Sequence, residues 1–372
     1  MTRWQRFSLS PRLVDWSIFA LLAIELGSGL LSLVTGRPGG QVVFVLHGIV
    51  GLCLCVLVFE KLRRVRKRVT RRAAWDRATP VSVLLAIVTL GALGSGIAWV
   101  LGGSLALGPW GLLNLHIGLG LVLIVVVAVH LRHRWRPPQR RDLDGRRTVI
   151  SYLVLVGAGA LTWRLQAVFN GLLKTAGAER RFTGSREEGS NEGNDFPMTS
   201  WVADDPEPIA IDDWELTVTG EVKRDLAFAY DEINPQESAT EGVENGRESD
   251  PSETLRATLD CTSGWYSVHD WRGVRVGDLL DQADATESAR WVSFRSVTGY
   301  RWSLPIEEAR GALLATHVGD ERLTHGHGAP LRLVAPGRRG FQWVKWVTTV
   351  EVRERRDPGQ WLAVFVSGFD EE

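Results

Sequence analysis

The chain has 372 residues, a formal net charge of zero and 45% hydrophobic residues, enough for two or three domains. The neutral total hides a split: residues 1–182 carry 24 Lys+Arg against 7 Asp+Glu, and residues 183–372 carry 19 against 36. One uniform soluble domain is therefore excluded, and no nucleic-acid partner is expected. The basic half, rich in apolar runs, points to lipid; the acidic half, with only Lys223 and Lys345 as lysines, points to a hydrated soluble surface. Cys53 and Cys55 lie within an apolar run and Cys261 stands alone, so no structural disulfide is expected, and export is neither required nor excluded on that ground.

Four apolar segments come first, at 14–34, 42–60, 81–101 and 112–131. About 20 residues at about 1.5 Å each cross a hydrocarbon core of about 30 Å. The link 61–77 holds nine positive residues and the link 132–147 seven arginines, so both are expected on the cytoplasmic side. The nearly uncharged links 36–41 and 102–111 then face outward.

The segments repeat. ELGSGLLSLVTG followed by VLHGIVGL matches ALGSGIAWVLGG followed by NLHIGLGL, two copies of one helix hairpin, with His47 and His116 at equivalent positions near the outer face. An ionisable ring inside a span is costly. Two at matched depth in a four-helix bundle suit the axial ligation of one haem b, with Gly48, Gly51, Gly118 and Gly120 leaving room for the macrocycle. An ordinary hydrogen-bonded pair is the alternative. The bundle resembles the b-type cytochrome subunits of membrane oxidoreductases, which implies exchange with a quinone pool. The position matching His130 is Lys61, which argues against a second haem and leaves His130 and His133 as interfacial.

A fifth apolar run over 148–163 comes after Arg146 and Arg147, a pair resembling an internal twin-arginine export signal. It would carry the C-terminal half of the chain to the extracytoplasmic side of the cell membrane. The domains expected are 1–134 (the four-helix transmembrane bundle), 135–179 (basic loop and fifth span), 180–194 (a polar Gly/Ser-rich tether) and 195–372 (an α+β, strand-rich domain). Within the last, 214–220, 291–297 and 347–352 alternate like strands, 276–282 and 306–315 read as short helices, and acidic 231–254 reads as a loop or insertion.

Cys261 closes a β-like run, LRATLD, and is succeeded by a Thr-Ser-Gly turn and by Trp265 and Trp271. By spacing alone, a packing role and ligation of a soft metal are both open. The stretch LDCTSGWYSVHDWRGVRVGDLL at 259–280 and the stretch HGHGAPLRLVAPGRRGFQWVKW at 325–346 together resemble the sulfite-oxidase-type molybdopterin oxidoreductases, over roughly 194–372. The resemblance implies a molybdenum–molybdopterin cofactor, with Cys261 as the catalytic metal ligand. It implies cofactor contacts from His327, Arg332, Trp343, Val344 and Lys345, and from Asn194 and Phe196 in a weaker Asn-x-Phe-Pro match. Gly193 stands where sulfite oxidases have a substrate-binding arginine; Arg295, Arg301, His269 or Arg338 are the candidates to replace it.

The function implied is a membrane-anchored oxidoreductase transferring oxygen atoms, with reduction of a sulfoxide or N-oxide-like substrate, small or protein-borne, favoured over oxidation of sulfite. A non-catalytic electron carrier or binding protein keeping the fold without molybdenum is the alternative reading.

Overall fold

The computed structural model describes residues 9–107, 110–135, 146–199, 204–234 and 253–367. Serine before proline starts the first helix: the Ser10 hydroxyl accepts from the Leu13 N–H at 3.3 Å and caps α1 (Pro11–Val34). α2 (Gln41–Thr70) runs ten residues past the expected span, through KLRRVRKRVT. Lysine and arginine are good helix formers and suit the negative end of the helix dipole, so the helix outlasts its apolar stretch. α3 (Thr79–Val100), α4 (Leu112–Arg134) and α5 (Arg146–Leu173) come next. The side chains of Arg146 and Arg147, and the link 136–145, lie outside the described residues.

Helices α1 and α2 pack together, as do α3 and α4, and Leu22, Leu54, Val58, Val88, Ala92 and Leu123 form a small core drawn from all four. Their other faces are also apolar and exposed, with Phe59 at 66% and Val125 at 65%. Helices apolar all round belong in hydrocarbon, and five helices here are long and apolar enough to cross a membrane.

The chain divides into two compact units, Met1–Arg186 and Glu187–Glu372. The first also holds the short strands β1 (Ala106–Leu107) and β2 (Trp110–Gly111), which pair with each other. The second is strand-rich α+β. One sheet contains β3 (Arg186–Glu187), β6 (Glu253–Asp260), β7 (Trp265–Arg275), β10 (Leu313–Val318), β11 (Glu321–Arg322) and β12 (Arg332–Val334), with order β11-β10-β7-β3, β12 pairing with β10 and β6 with β7. The other contains β4 (Glu215–Gly220), β5 (Leu226–Ala229), β8 (Trp291–Ser296), β9 (Arg301–Pro305) and β13 (Val347–Arg353), in the order β5-β4-β13-β8-β9. One core joins both sheets: Leu216, Val292, Phe294 and Leu304 from the second meet Leu259, Trp271 and Leu314 from the first. Each such side chain contributes about 1.5–3 kcal/mol of burial. Short helices α6 (Tyr230–Ile233), α7 (Val276–Gln282), α8 (Ile306–Arg310) and α9 (Gln360–Val366) complete the unit.

The helix expected over 306–315 is corrected: α8 stops at Gly311, and 313–318 is β10, buried at every position. A short, wholly buried apolar run has no periodicity to separate strand from helix. Residues 187–194, expected to be part of a tether, run beside β7, with Glu188 N–H donating to Tyr266 O at 2.9 Å and Asn191 N–H to Val268 O at 3.0 Å. The acidic stretch 235–252 lies outside the described residues.

Candidate functional site

Cys261 sits where β6 turns into β7. Its N–H donates to Trp265 O at 2.9 Å, Gly264 N–H donates back to Cys261 O at 3.2 Å, and the Ser263 N–H lies 3.4 Å from Sγ. The buried side chain is thus held at the mouth of a tight turn. The segment 339–346 crosses directly against it. Gly340 makes this possible, since a Cβ there would lie 3.2 Å from Cys261 Cα.

The opposite wall is aromatic. Trp265, His269 and Trp271 are all on the buried face of β7, which alternates in and out along the strand. The Phe196 ring lies 3.9 Å from His327 and 4.6 Å from His269, centroid to centroid. His327 Nε2 is 3.0 Å from Phe196 O and Nδ1 is 2.8 Å from Thr324 Oγ1. A carbonyl only accepts, so Nε2 carries the proton and Nδ1 accepts from the threonine hydroxyl. Burial, then the nearby Arg332 charge, push His327 down to about 4. His269 is likewise pushed down to about 4 by burial first and Arg332 next, and its Nε2 has no hydrogen-bond partner among the described residues.

Two cations lie beside Cys261. Arg332, 3% exposed, donates from Nη1 to His327 O at 2.8 Å and lies 5.6 Å from the Trp271 ring and 6.0 Å from the Trp343 ring. Among the described residues its Nε has no acceptor and no carboxylate pairs with it. Burial lowers it to about 10, against a smaller raising effect of Cys261. Lys345 donates to Gly326 O at 2.6 Å. Burial, and then repulsion from Arg332, bring it down to about 7, with Asp204, Cys261 and Asp205 opposing. The indole N–H of Trp343 also lacks an acceptor among the described residues. Each buried donor without a partner costs about 1–3 kcal/mol, so the cluster is arranged for an anion rich in acceptors.

A third cation, Arg339, is already neutralised. It donates to Asp260 Oδ1 at 2.8 Å and to Cys261 O at 3.0 Å, and it was missed in the sequence because nothing in PGRRG distinguishes it from Arg338. Its neighbour pairs instead with Glu308, at 2.5 and 2.8 Å. Arg301 is engaged by Asp357 at 2.6 Å, and Arg295 is exposed. Of the four candidates for a substrate-binding cation, His269 alone lies in the aromatic wall.

In the helical unit, the His47 and His116 rings lie 6.0 Å apart, centroid to centroid, at 89°. His47 Nδ1 is 3.0 Å from Glu25 Oε2 and 2.9 Å from Ser28 Oγ; His116 Nδ1 is 2.9 Å from Ala92 O and 3.3 Å from Ser95 Oγ. Both protons are thereby fixed on Nδ1, and neither Nε2 makes a hydrogen bond among the described residues. The room expected over Gly48 is filled by Trp163, whose indole lies 2.6 Å from where a Cβ would be, whereas Gly118 and Gly120 have nothing within 4 Å of that position.

Residues 203–361 match the family described as oxidoreductase molybdopterin binding domain. Most of the second unit is thus similar to molybdopterin-binding oxidoreductase domains. The protein-methionine-sulfoxide reductase catalytic subunit of Xanthomonas campestris pv. campestris is 28% identical over 41% of this chain and 49% of its own length. That of Gluconobacter oxydans is 26% identical over 40% of this chain and 49% of its own. An uncharacterised oxidoreductase of Bacillus subtilis is 26% identical over 40% and 69% respectively. The chain thus spans about half the length of the reductase subunits it matches.

The residues present fit the cofactor that a molybdopterin domain takes. A soft sulfur, the buried Arg332, the half-buried Lys345 and donors at Arg332 Nε and Trp343 Nε1 that lack an acceptor among the described residues converge near one turn, which is the donor set an anionic dithiolene and phosphate require. The other expected contacts divide. Phe196 packs in the aromatic wall, and with Asn194, Met198, Thr324, His325, Gly326 and His327 it lines a groove of about 620 Å³. Asn194 spends both amide protons in-chain, on Glu321 Oε2 at 3.0 Å and Arg322 O at 2.8 Å, and accepts from Thr324 N–H at 3.0 Å. Its visible work is to clamp the 194–198 segment to the 324–327 turn. Val344 is fully buried and its carbonyl accepts from Leu333 N–H at 2.8 Å.

Proposed function

We propose that the chain is a membrane-anchored molybdopterin-dependent oxidoreductase that carries electrons between a quinone pool and an extracytoplasmic oxygen-atom-transfer site by way of one haem b. The observation that carries the catalytic half is the pair of cations, buried Arg332 and half-buried Lys345, set beside Cys261 without a carboxylate bridge to Arg332 among the described residues. A domain that kept its fold only for binding or electron carriage would have no reason to retain that electrostatic cost.

Bound molybdenum would supply two-electron oxygen-atom chemistry, with the Cys261 thiolate among its ligands. Arg332 and Lys345 hold the anionic parts of the cofactor; Phe196, Trp265 and Trp271 exclude water from the turn that presents the sulfur. Reducing a sulfoxide consumes two electrons and two protons and releases the sulfide and water. The reduction direction is favoured because the relatives include protein-methionine-sulfoxide reductase subunits.

The haem reading rests on His47 and His116. The two rings lie 6.0 Å apart with both Nδ1 protons engaged, so each Nε2 would be left to hold a haem iron, which would supply one-electron transfer. The basic links at 61–77 and 132–147 favour a cytoplasmic side for those loops, and α5 then delivers the molybdopterin domain outside.

The test is purification of the full chain from membranes, with metal and pterin analysis, a reduced-minus-oxidised spectrum, and dye-linked reduction of methionine sulfoxide. Molybdenum near one per chain with sulfoxide-dependent dye oxidation is expected. A protein isolated from molybdenum-replete cells without metal or pterin would favour the non-catalytic reading.

A further inference from the structure

The two hairpin copies in the helical unit differ at a residue that touches a histidine. Residues 25–28, ELGS on α1, align with 92–95, ALGS on α3, as His47 aligns with His116. The local bonding repeats as well. Ser28 donates to Glu25 O at 3.2 Å and Ser95 donates to Ala92 O at 3.0 Å, and each serine oxygen lies against its histidine's Nδ1. In the second copy the Nδ1 proton goes to the backbone carbonyl of Ala92 at 2.9 Å. In the first it goes to the carboxylate of Glu25 at 3.0 Å.

That carboxylate is 12% exposed, and its second oxygen, Oε1, has no partner among the described residues. A Cβ on Gly51 would lie 3.7 Å from it, so α2 leaves just enough space for the group. Holding a carboxylate among apolar helices is expensive, and His47 is the charged-group partner it has among the described residues. A histidine that ligates a metal donates its other N–H to a neighbouring acceptor, and that acceptor sets how basic the ligand is. A carboxylate acceptor gives a charge-assisted bond, roughly twice as strong as one to a neutral carbonyl.

We propose that Glu25 is the positioning residue that makes His47 and His116 unequal ligands, strengthening His47 as a donor and stabilising the oxidised state of the iron between them. The proposal rests on the bis-histidine haem reading. Glu25→Gln in the full chain keeps a hydrogen-bond acceptor of the same size and removes the charge.

The expected result is haem at wild-type content with a raised midpoint potential. At the wild-type midpoint, the ratio of oxidised to reduced haem falls about tenfold, equal to about 59 mV for a one-electron couple. Glu25→Ala, which copies the second repeat, should shift it in the same direction, and Glu25→Asp should restore most of the wild-type value. A haem-loaded Glu25→Gln protein whose ratio stays within about twofold of wild type overturns the proposal. If Glu25→Gln loses haem, recovery of both haem and potential in Glu25→Asp supports it, and loss of haem in both assigns Glu25 to helix packing and overturns it. A wild-type chain without a haem band instead defeats the underlying reading, so the two failures are separable.

Discussion

Arg339 places its guanidinium between the carboxylate of Asp260, at 2.8 Å, and the carbonyl of Cys261, at 3.0 Å, with both charged side chains 4% exposed or less. The pair also joins two stretches of backbone, since Asp260 and Arg339 form an isolated parallel bridge. One arginine therefore stabilises the fold and aims the turn that carries the sulfur.

Removing one partner of such a pair strands a buried charge, at a cost of about 3–5 kcal/mol. Arg339→Leu should therefore lower the melting temperature of the C-terminal unit by roughly 10 °C, at about 2–4 °C per kcal/mol for a unit of this size. Asp260→Asn in the same background should recover part of the loss, because it deletes the stranded charge. Calorimetry of the single and double variants checks this; additive losses would show that the two residues are not energetically coupled.

Much of this organisation was legible in the sequence, for separable reasons. The apolar runs are long because hydrocarbon is thick, so all five long helices were visible, although α2 and α5 run past their expected ends where Lys, Arg and Gln continue the helix. Spacing alone leaves the role of Cys261 open; the resemblance carried by 259–280 and 325–346 is what singles out His327, Arg332, Trp343 and Lys345. The aromatic wall was only half visible: the alternation Trp265, His269, Trp271 along β7 could have placed His269 on the inner face, but its contact with Phe196 depends on a segment more than 70 residues away. Nor could spacing separate Arg338 from Arg339, or α8 from β10, because tertiary partners decide those cases.

Cys261→Ser exchanges a soft ligand for a hard, mostly protonated one while leaving Arg332 and Lys345 in place. Turnover should fall by at least about a hundredfold, with pterin content near wild type and unfolding changed by less than about 1 kcal/mol. Pterin fluorescence and molybdenum analysis beside the dye-linked assay check this. Normal turnover in the serine variant would return Cys261 to a packing role.

Arg332 tests the cradle separately from the metal. Its planar fork bonds His327 O while Nε remains for a ligand, and a lysine cannot reproduce both directions. Arg332→Lys should cut pterin content several-fold, and Arg332→Ala should nearly abolish it. Without the cofactor, Arg332→Met should be as stable as wild type or more so, because the buried cation is costly without an anion. A destabilised methionine variant in cofactor-free protein would mean the arginine is a structural strut.

Lys345 makes retention of the cofactor depend on pH. Burial, helped by Arg332, brings it down to about 7 from the ordinary lysine value of 10.5. The folded value lies below the unfolded one, so as pH falls from about 10.5 towards 7 the unfolded chain holds a proton that the folded chain resists. The cofactor-free domain therefore loses stability across that window, and the loss is complete below about 7. An anionic phosphate reverses the preference by stabilising the ammonium, so binding above pH 7 takes up a proton. Affinity should be greatest below pH 7 and fall by up to about tenfold per pH unit above it. His269 and His327, at about 4, stay neutral between pH 6 and 9 and add no slope. Asp204, whose carboxyl burial pushes up, is controlled for by Asp204→Asn. Lys345→Arg should flatten the profile, since a guanidinium keeps its proton, and Lys345→Met should lower affinity at pH 6 far more than at pH 9. Equilibrium rebinding of pterin from pH 6 to 9 checks all three; a flat wild-type profile, or an unchanged slope in Lys345→Arg, would place Lys345 away from the anion.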